Sequence, residues 1–141
     1  MISIARAANQ NGPISLERVS KNTKISRRYL EQLAIALKNA SLLRSVSGRG
    51  GGYFLARAAN EITLLEIVEA SIGPIGVVDC TLRPEDCAQA SFCECRDIYC
   101  QINDKIDEVL KSYTLQDLAA GFPGREGAGA NQNPCSGGRG D

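Results

Sequence analysis

Cys80, Cys87, Cys93, Cys95 and Cys100 fall within 21 residues of a 141-residue chain, and a sixth cysteine, Cys135, stands apart near its end. Thiolates are soft donors and good nucleophiles. A set this dense suits metal or iron–sulfur ligation, or reversible oxidation. Competing chemistry is missing from the sequence. It holds no histidine, so it has no Ser-His-Asp set, and no evident acid–base pair stands out, which argues against an enzyme. The run Gly48-Arg49-Gly50-Gly51-Gly52 has the composition of a nucleotide loop. The residues after it read as a strand, leaving no helix N-terminus to receive a phosphate.

The compartment bears on those thiols. No stretch approaches the ~20 apolar residues of a membrane span, and MISIARAANQ lacks a signal peptide's apolar run. The chain therefore reads as cytoplasmic, with no membrane partner. In a reducing cytosol, clustered cysteines favour a metal site or a redox sensor over structural disulfides. The net charge of zero hides a polarity. Residues 1–57 carry ten Lys/Arg and two Glu, a net +8, and residues 58–141 carry six basic and fourteen acidic residues, a net −8. A basic half joined to an acidic half suggests a polyanion-binding module tied to something else.

The elements that position these groups follow from periodicity and caps. Residues 1–9 have helical spacing and stop at Asn11-Gly12-Pro13. Ser15 caps LERVSKNT, with Leu16 and Val19 inward, and Ser26 caps RRYLEQLAIALKNA, with Leu30, Leu33, Ala34 and Leu37 on one stripe. The turn Asn22-Thr23-Lys24-Ile25 between them completes a helix-turn-helix pattern. Strand-like runs at Leu42–Ser47 and Tyr53–Ala56, joined through the glycine run, form a hairpin wing. Thr63-Leu64-Leu65-Glu66 is a capping box, and Gly73-Pro74 ends the helix it opens. After the cysteines, Ile98, Ile102, Ile106, Val109 and Tyr113 recur every three or four residues along a long amphipathic helix. Its stripe needs a partner, and a second copy is the economical one. Thr114 caps a last short helix. The predicted architecture is mainly α with a small β-hairpin wing. The divisions are a winged helix-turn-helix region (1–57), a connecting helix (58–78), a cysteine-rich loop (79–95), a dimerisation helix with a short C-terminal helix (96–120), and a Gly-rich disordered tail (121–141) that leaves Cys135 a bystander.

The segments SRRYLEQLAIALKNASLLRSVSGRGGGYFLAR and EITLLEIVEASIGP, three spaced cysteines, and a helix ending IDEVLKSYTLQDLA closely resemble the Rrf family of bacterial winged-helix regulators, with its IscR-like and NsrR-like branches. The resemblance covers Met1 to about Ala120. It implies a homodimer crossed through the long helix, binding a palindromic operator in double-stranded DNA. The family pattern extends upstream of Met1 with a basic, aromatic segment, so a late-assigned start or a shortened first helix is expected.

For DNA, Arg27, Arg28 and Tyr29 should lead the recognition helix into the major groove, where arginine serves guanine or phosphate equally well. Glu31 and Gln32 resemble the family's base-reading pair, although Glu31 equally suits pairing within the helix. Arg49 at the wing could enter a narrowed minor groove. Relatives often carry that arginine where this chain has Ser47. Cys80-x6-Cys87-x5-Cys93 resembles the signature of the cluster-binding members, which implies a 2Fe–2S or 4Fe–4S cofactor. The histidine one branch uses as fourth ligand would fall at Arg96, which cannot ligate, and the acidic residue another branch takes from the partner's first helix would lie upstream of Met1. Cys95 and Cys100 are the candidates that remain, with Cys95 or an exchangeable ligand preferred. Structural zinc and a metal-free disulfide or persulfide sensor remain open alternatives. An iron–sulfur or redox carrier using the winged region for protein contacts is the alternative function; it would lack salt-dependent duplex binding.

Overall fold

The computed structural model describes residues 1–8 and 12–121. α1 (Ile2–Ala8) buries Ile4 and Ala5. α2 (Leu16–Thr23) starts at Ser15, whose hydroxyl accepts from the Arg18 N–H at 3.3 Å, and ends at Lys24 in the left-handed region, φ 62°. α3 (Arg27–Asn39) starts at Ser26, which accepts from the Tyr29 N–H at 3.3 Å. Each serine satisfies a donor that the first helical turn leaves open. Leu30, Ala34 and Leu37 are buried along α3, as the stripe predicts, and Leu33 is half-buried.

The wing is β1 (Leu43–Val46) paired antiparallel with β2 (Gly52–Leu55), in the register Leu43↔Leu55 to Val46↔Gly52. Ser47 and Ala56 fall just outside the paired strands. A third participant has no signal in the sequence pattern. Ile14 bridges the free edge of β2 through Tyr53, with N···O distances of 3.0 and 2.9 Å. Gly52 makes this approach possible, since a Cβ there would stand 2.5 Å from the Ile14 carbonyl oxygen.

α4 (Leu64–Ile72) opens on the predicted capping box, in which Thr63 Oγ1 accepts from Glu66 N–H and the Glu66 carboxylate accepts from Thr63 N–H at 2.8 Å. The cysteine-rich segment contains more local structure than a loop. A one-turn helix, α5 (Asp79–Leu82), and a 3-10 turn at Pro84–Asp86 precede α6 (Glu94–Ser112), which begins two residues before the predicted start of its helix at Arg96.

α7 (Leu115–Ala120) brings the chain back to its beginning. The Leu115 N–H donates to Ile62 O at 2.8 Å, Leu64 N–H donates to Tyr113 O at 2.9 Å, and Arg6 Nε donates to Ala119 O at 3.1 Å. Leu115 is fully buried in one core with Ile4, Ile14, Val19, Leu30, Leu37, Leu42, Leu43 and Ile62. α7 packs on α1 and on the 3-10 turn at Ala59–Glu61. Residues 122–141, with Cys135, lie outside the described residues. No helix among those described is long and apolar enough to cross a membrane.

The stripe on α6 is graded in burial. Ile106, Leu110 and Tyr113 are half-buried, and α6 packs on α4. Ile98 (60% exposed), Ile102 (41%) and Val109 (55%) lie on an outer face. Packing within the chain and an outward seam therefore share one helix.

Candidate functional site

α3 presents its first turn outward because Ser26 fixes where the helix begins and Leu30 fixes which side is buried. Arg27, Arg28 and Gln32 are exposed, and Tyr29 is 50% exposed. Glu31 does not stand free for a base. Its Oε1 accepts from Arg27 Nε at 2.9 Å, an i,i+4 ion pair on the exposed face. At the wing, Ser47 and Arg49 are both exposed. Gly48 and Gly50 flank Arg49 at φ 107° and 85°, a backbone path that needs glycine. An exposed basic helix start and a pliant basic tip are both features that suit contact with a polyanion.

The end of the wing is tied to the rest of the fold. Arg57 pairs with Glu66 at 2.5 Å, so the carboxylate that completes the α4 capping box also holds the chain leaving β2. Partial burial pushes the Glu66 carboxyl up, but hydrogen bonds from the Thr63 N–H, Arg57 and the Thr63 hydroxyl outweigh this and hold it below the ordinary carboxylate value.

The cysteines occupy distinct local settings. Cys80 lies on α5, Cys87 follows the 3-10 turn, Cys93 is the N-cap of α6, Cys95 is in its first turn and Cys100 is further along it. Cys80, Cys87, Cys93 and Cys100 are half-buried, Cys95 is exposed, and all five are free thiols. Among the described residues, no three Cys, Asp or Glu side chains come together as a group able to hold a metal ion. As donors, these thiols have the softness that iron–sulfur ligation needs. As placed, they do not fit a preassembled cluster.

Two residues outside the sequence-based site act on this segment. Arg96 Nε donates to Cys80 O at 3.2 Å. Asn103 Oδ1 accepts from Val77 N–H at 2.9 Å, while its Nδ2 donates to Thr81 Oγ1 at 2.7 Å. An asparagine inside a long helix is a weak helix former and so a signal that its amide serves something outside the helix. That signal is present in the sequence, although periodicity and cysteine spacing pass over it.

A family model described as that of the Rrf2 iron-dependent transcriptional regulators matches residues 1–121. The HTH-type transcriptional regulator CymR of Bacillus subtilis strain 168 is 37% identical over 128 residues, spanning 91% of this chain and 87% of CymR. The solved structure of CymR, described as the global cysteine regulator of that organism, superposes with a TM-score of 0.67 over 84% of this chain and 86% of that one. The structure of T. potens IscR matches with the same TM-score at 29% identity, over 84% of this chain and 77% of its own. From the match across residues 1–121 and the winged helix-turn-helix of the fold, the chain belongs to the Rrf2 family of transcriptional regulators, and it is a DNA-binding regulator rather than an enzyme.

Proposed function

We propose that the chain acts as a dimer on a palindromic operator and that the thiols of its cysteine-rich segment are the effector input. Arg27 and Arg28 would contact guanine edges or phosphates, with Tyr29 and Gln32 beside them and Glu31 buttressing Arg27. Ser47 and Arg49 at the wing would meet the flanking backbone or minor groove. The outer face of α6 supplies the dimer contact. Ile98, Ile102, Lys105 and Val109 follow the alternating four- and three-residue spacing of a coiled-coil seam.

The observation that carries the regulatory part is the position of α4. It packs against the recognition helix α3 on one side and against α6 on the other, and residues 73–93, which hold Cys80, Cys87 and Cys93, are the covalent link between α4 and α6. A change in that link can alter the angle between α6 and α3, and so the spacing of two recognition helices that must match half-sites about one DNA turn apart. Couplings of this kind are typically ~1–3 kcal/mol. The finer reading is an iron–sulfur cluster on Cys80, Cys87 and Cys93 with Cys95 as fourth ligand. It is supported by their spacing and by the family's iron dependence, and it requires the segment to close around the metal.

Anaerobic purification with iron, sulfide and visible-absorption assays, paired with operator titrations before and after thiol oxidation, tests the proposal. We expect operator affinity to change with the state of the thiols. An affinity unmoved by both iron–sulfur reconstitution and thiol oxidation would remove the cysteine segment from the regulatory role.

A further inference from the structure

The cysteine-rich segment is held at its two ends and wound only on itself in between. At the front, the Asn103 amide grips two groups: it accepts from Val77 N–H at 2.9 Å and donates to Thr81 Oγ1 at 2.7 Å, and Thr81 Oγ1 in turn donates to Val78 O at 2.7 Å. Seven positions earlier, on the same face of α6, the Arg96 side chain holds the Cys80 turn, its Nε donating to Cys80 O at 3.2 Å. Cys93 is fixed by the helix itself, as the N-cap of α6 whose carbonyl accepts from the Arg96 backbone N–H at 3.1 Å. Residues two helical turns apart share a face, so these two side chains form one clamp along α6.

The middle of the segment differs. Between Arg83 and Phe92 the bonds are local: Arg83 Nε to Asp86 Oδ2 at 3.3 Å, Asp86 N–H to Arg83 O, Cys87 N–H to Pro84 O, Ala90 N–H to Cys87 O and Phe92 N–H to Gln89 O. Apart from the Arg83 N–H, which donates to Asp79 O at 2.8 Å and closes α5, no hydrogen bond or ion pair among the described residues ties this stretch to another element.

We propose that Asn103 and Arg96 are positioning residues that pin the Cys80 turn to the start of α6, making Cys80 and Cys93 a fixed pair and Cys87 the thiol that moves toward them. This rests on the cysteine segment being the effector input. It adds which thiols are anchored and which residues anchor them. The clamp also gives the input its lever. The Asn103–Arg96 face of α6 lies away from the seam of Ile98, Ile102 and Val109, so a pull on the Cys80 turn is transmitted to the whole helix.

Local opening controls how fast a partly buried thiol reacts, and each lost tie lowers the opening cost. The test is site-resolved alkylation of the full-length protein with iodoacetamide, read by peptide mass spectrometry, in wild type, Asn103→Leu and Thr81→Val. Cys80 should react more slowly than Cys87 in wild type. Asn103→Leu should raise the Cys80 rate by about tenfold, as expected for the loss of two hydrogen bonds, and leave Cys87 nearly unchanged. Thr81→Val, which leaves α6 intact, should give a smaller rise at Cys80 alone and stands in if Asn103→Leu misfolds. A Cys80 rate unmoved in the folded variants, or an equal rise at every thiol, overturns the clamp. Operator titration of alkylated wild type separates the two readings. If affinity ignores the modification while Cys80 still answers to Asn103, the effector role fails and the clamp stands.

Discussion

Arg27 and Glu31 face each other across one turn of α3, Nε to Oε1 at 2.9 Å, on the exposed face that we propose meets DNA. Both side chains are largely exposed, so the pair adds at most about 0.5 kcal/mol to the fold. Its effect belongs to binding, because Glu31 withholds part of Arg27 from a polyanion and places a negative charge nearby. Glu31→Ala should therefore tighten non-specific duplex binding and steepen the salt dependence by about one phosphate contact. Arg27→Ala and Arg28→Ala should weaken operator binding by about 1–3 kcal/mol. Fluorescence anisotropy across a salt series distinguishes these outcomes. Unchanged binding in both arginine variants would mean that another element reads the operator.

The bridge between Ile14 and Tyr53 predicts that the wing is sensitive at a residue with no side chain. A methyl group at Gly52 would sit 2.5 Å from the Ile14 carbonyl oxygen, and that neighbour is backbone and cannot rotate away. Gly52→Ala should cost about 1–3 kcal/mol, the usual range for overpacking. At Gly12 nothing among the described residues lies within 4 Å of where a Cβ would stand, and no left-handed φ constrains it. Gly12→Ala should leave the urea midpoint nearly unmoved, and the two midpoints together measure the effect of close approach.

Leu115 tests whether α7 is part of the winged unit. It is 0% exposed and lies in the core with residues of α1, α2 and α3. Leu115→Ala should destabilise the protein by about 2–5 kcal/mol. Loss should appear as one shifted transition in chemical denaturation, with helix content and DNA binding lost together. A separate early transition that left DNA binding intact would show α7 to be peripheral.

Acid should act through the caps. The folded protein holds the Glu66 carboxyl below its ordinary 4.5. The stabilisation is therefore complete above that value and is lost as pH falls through the lowered one. Asp117 behaves in the same sense, held below 3.8 by hydrogen bonds from the Thr114 hydroxyl and N–H. Glu66→Gln should lower stability at neutral pH by about 1 kcal/mol, given its exposed outer edge. It should also flatten the acid limb of a stability–pH curve. An acid limb as steep as that of wild type would place the titrating group elsewhere.

Local relationships are legible in the sequence. Ser15, Ser26, Thr63 and Thr114 all cap the helices they precede, because a cap is a bond between a side chain and backbone three residues away. The stripe of α3 is legible for the same reason, since one helix meets one core. Tertiary relationships are not. Ile14 joins β2 as a single residue, with no strand pattern around it. The α6 stripe cannot announce that Ile106 and Tyr113 are half-buried while Ile98, Ile102 and Val109 are exposed, because both sets satisfy helical spacing. The cysteine spacing carries a family signature. Nothing in that spacing shows that the thiols lie on separate turns or that Asn103 and Arg96 reach the turn carrying Cys80 from α6.

The outer face of α6 carries the prediction that bears most on operator reading. Ile98, Ile102 and Val109 expose apolar surface along one side of a 19-residue helix, and Lys105 interrupts them while pairing with Glu108 at 2.5 Å. In a helix that already packs on α4 by another side, such a seam is satisfied by a second copy lying alongside. Ile102→Glu places a charge in its middle, and two copies would put two like charges into one apolar contact. The fold of each protomer should survive, because Ile102 is already 41% exposed in the single chain. Sedimentation equilibrium should then show a monomer for Ile102→Glu and the proposed dimer for wild type. Binding to the full palindrome should fall to the level of a single half-site, since the gain from two linked modules is an effective-concentration effect that vanishes with the link. Ile102→Leu should keep both the dimer and full affinity. A dimer that persists in Ile102→Glu would move the interface to another face of the protein.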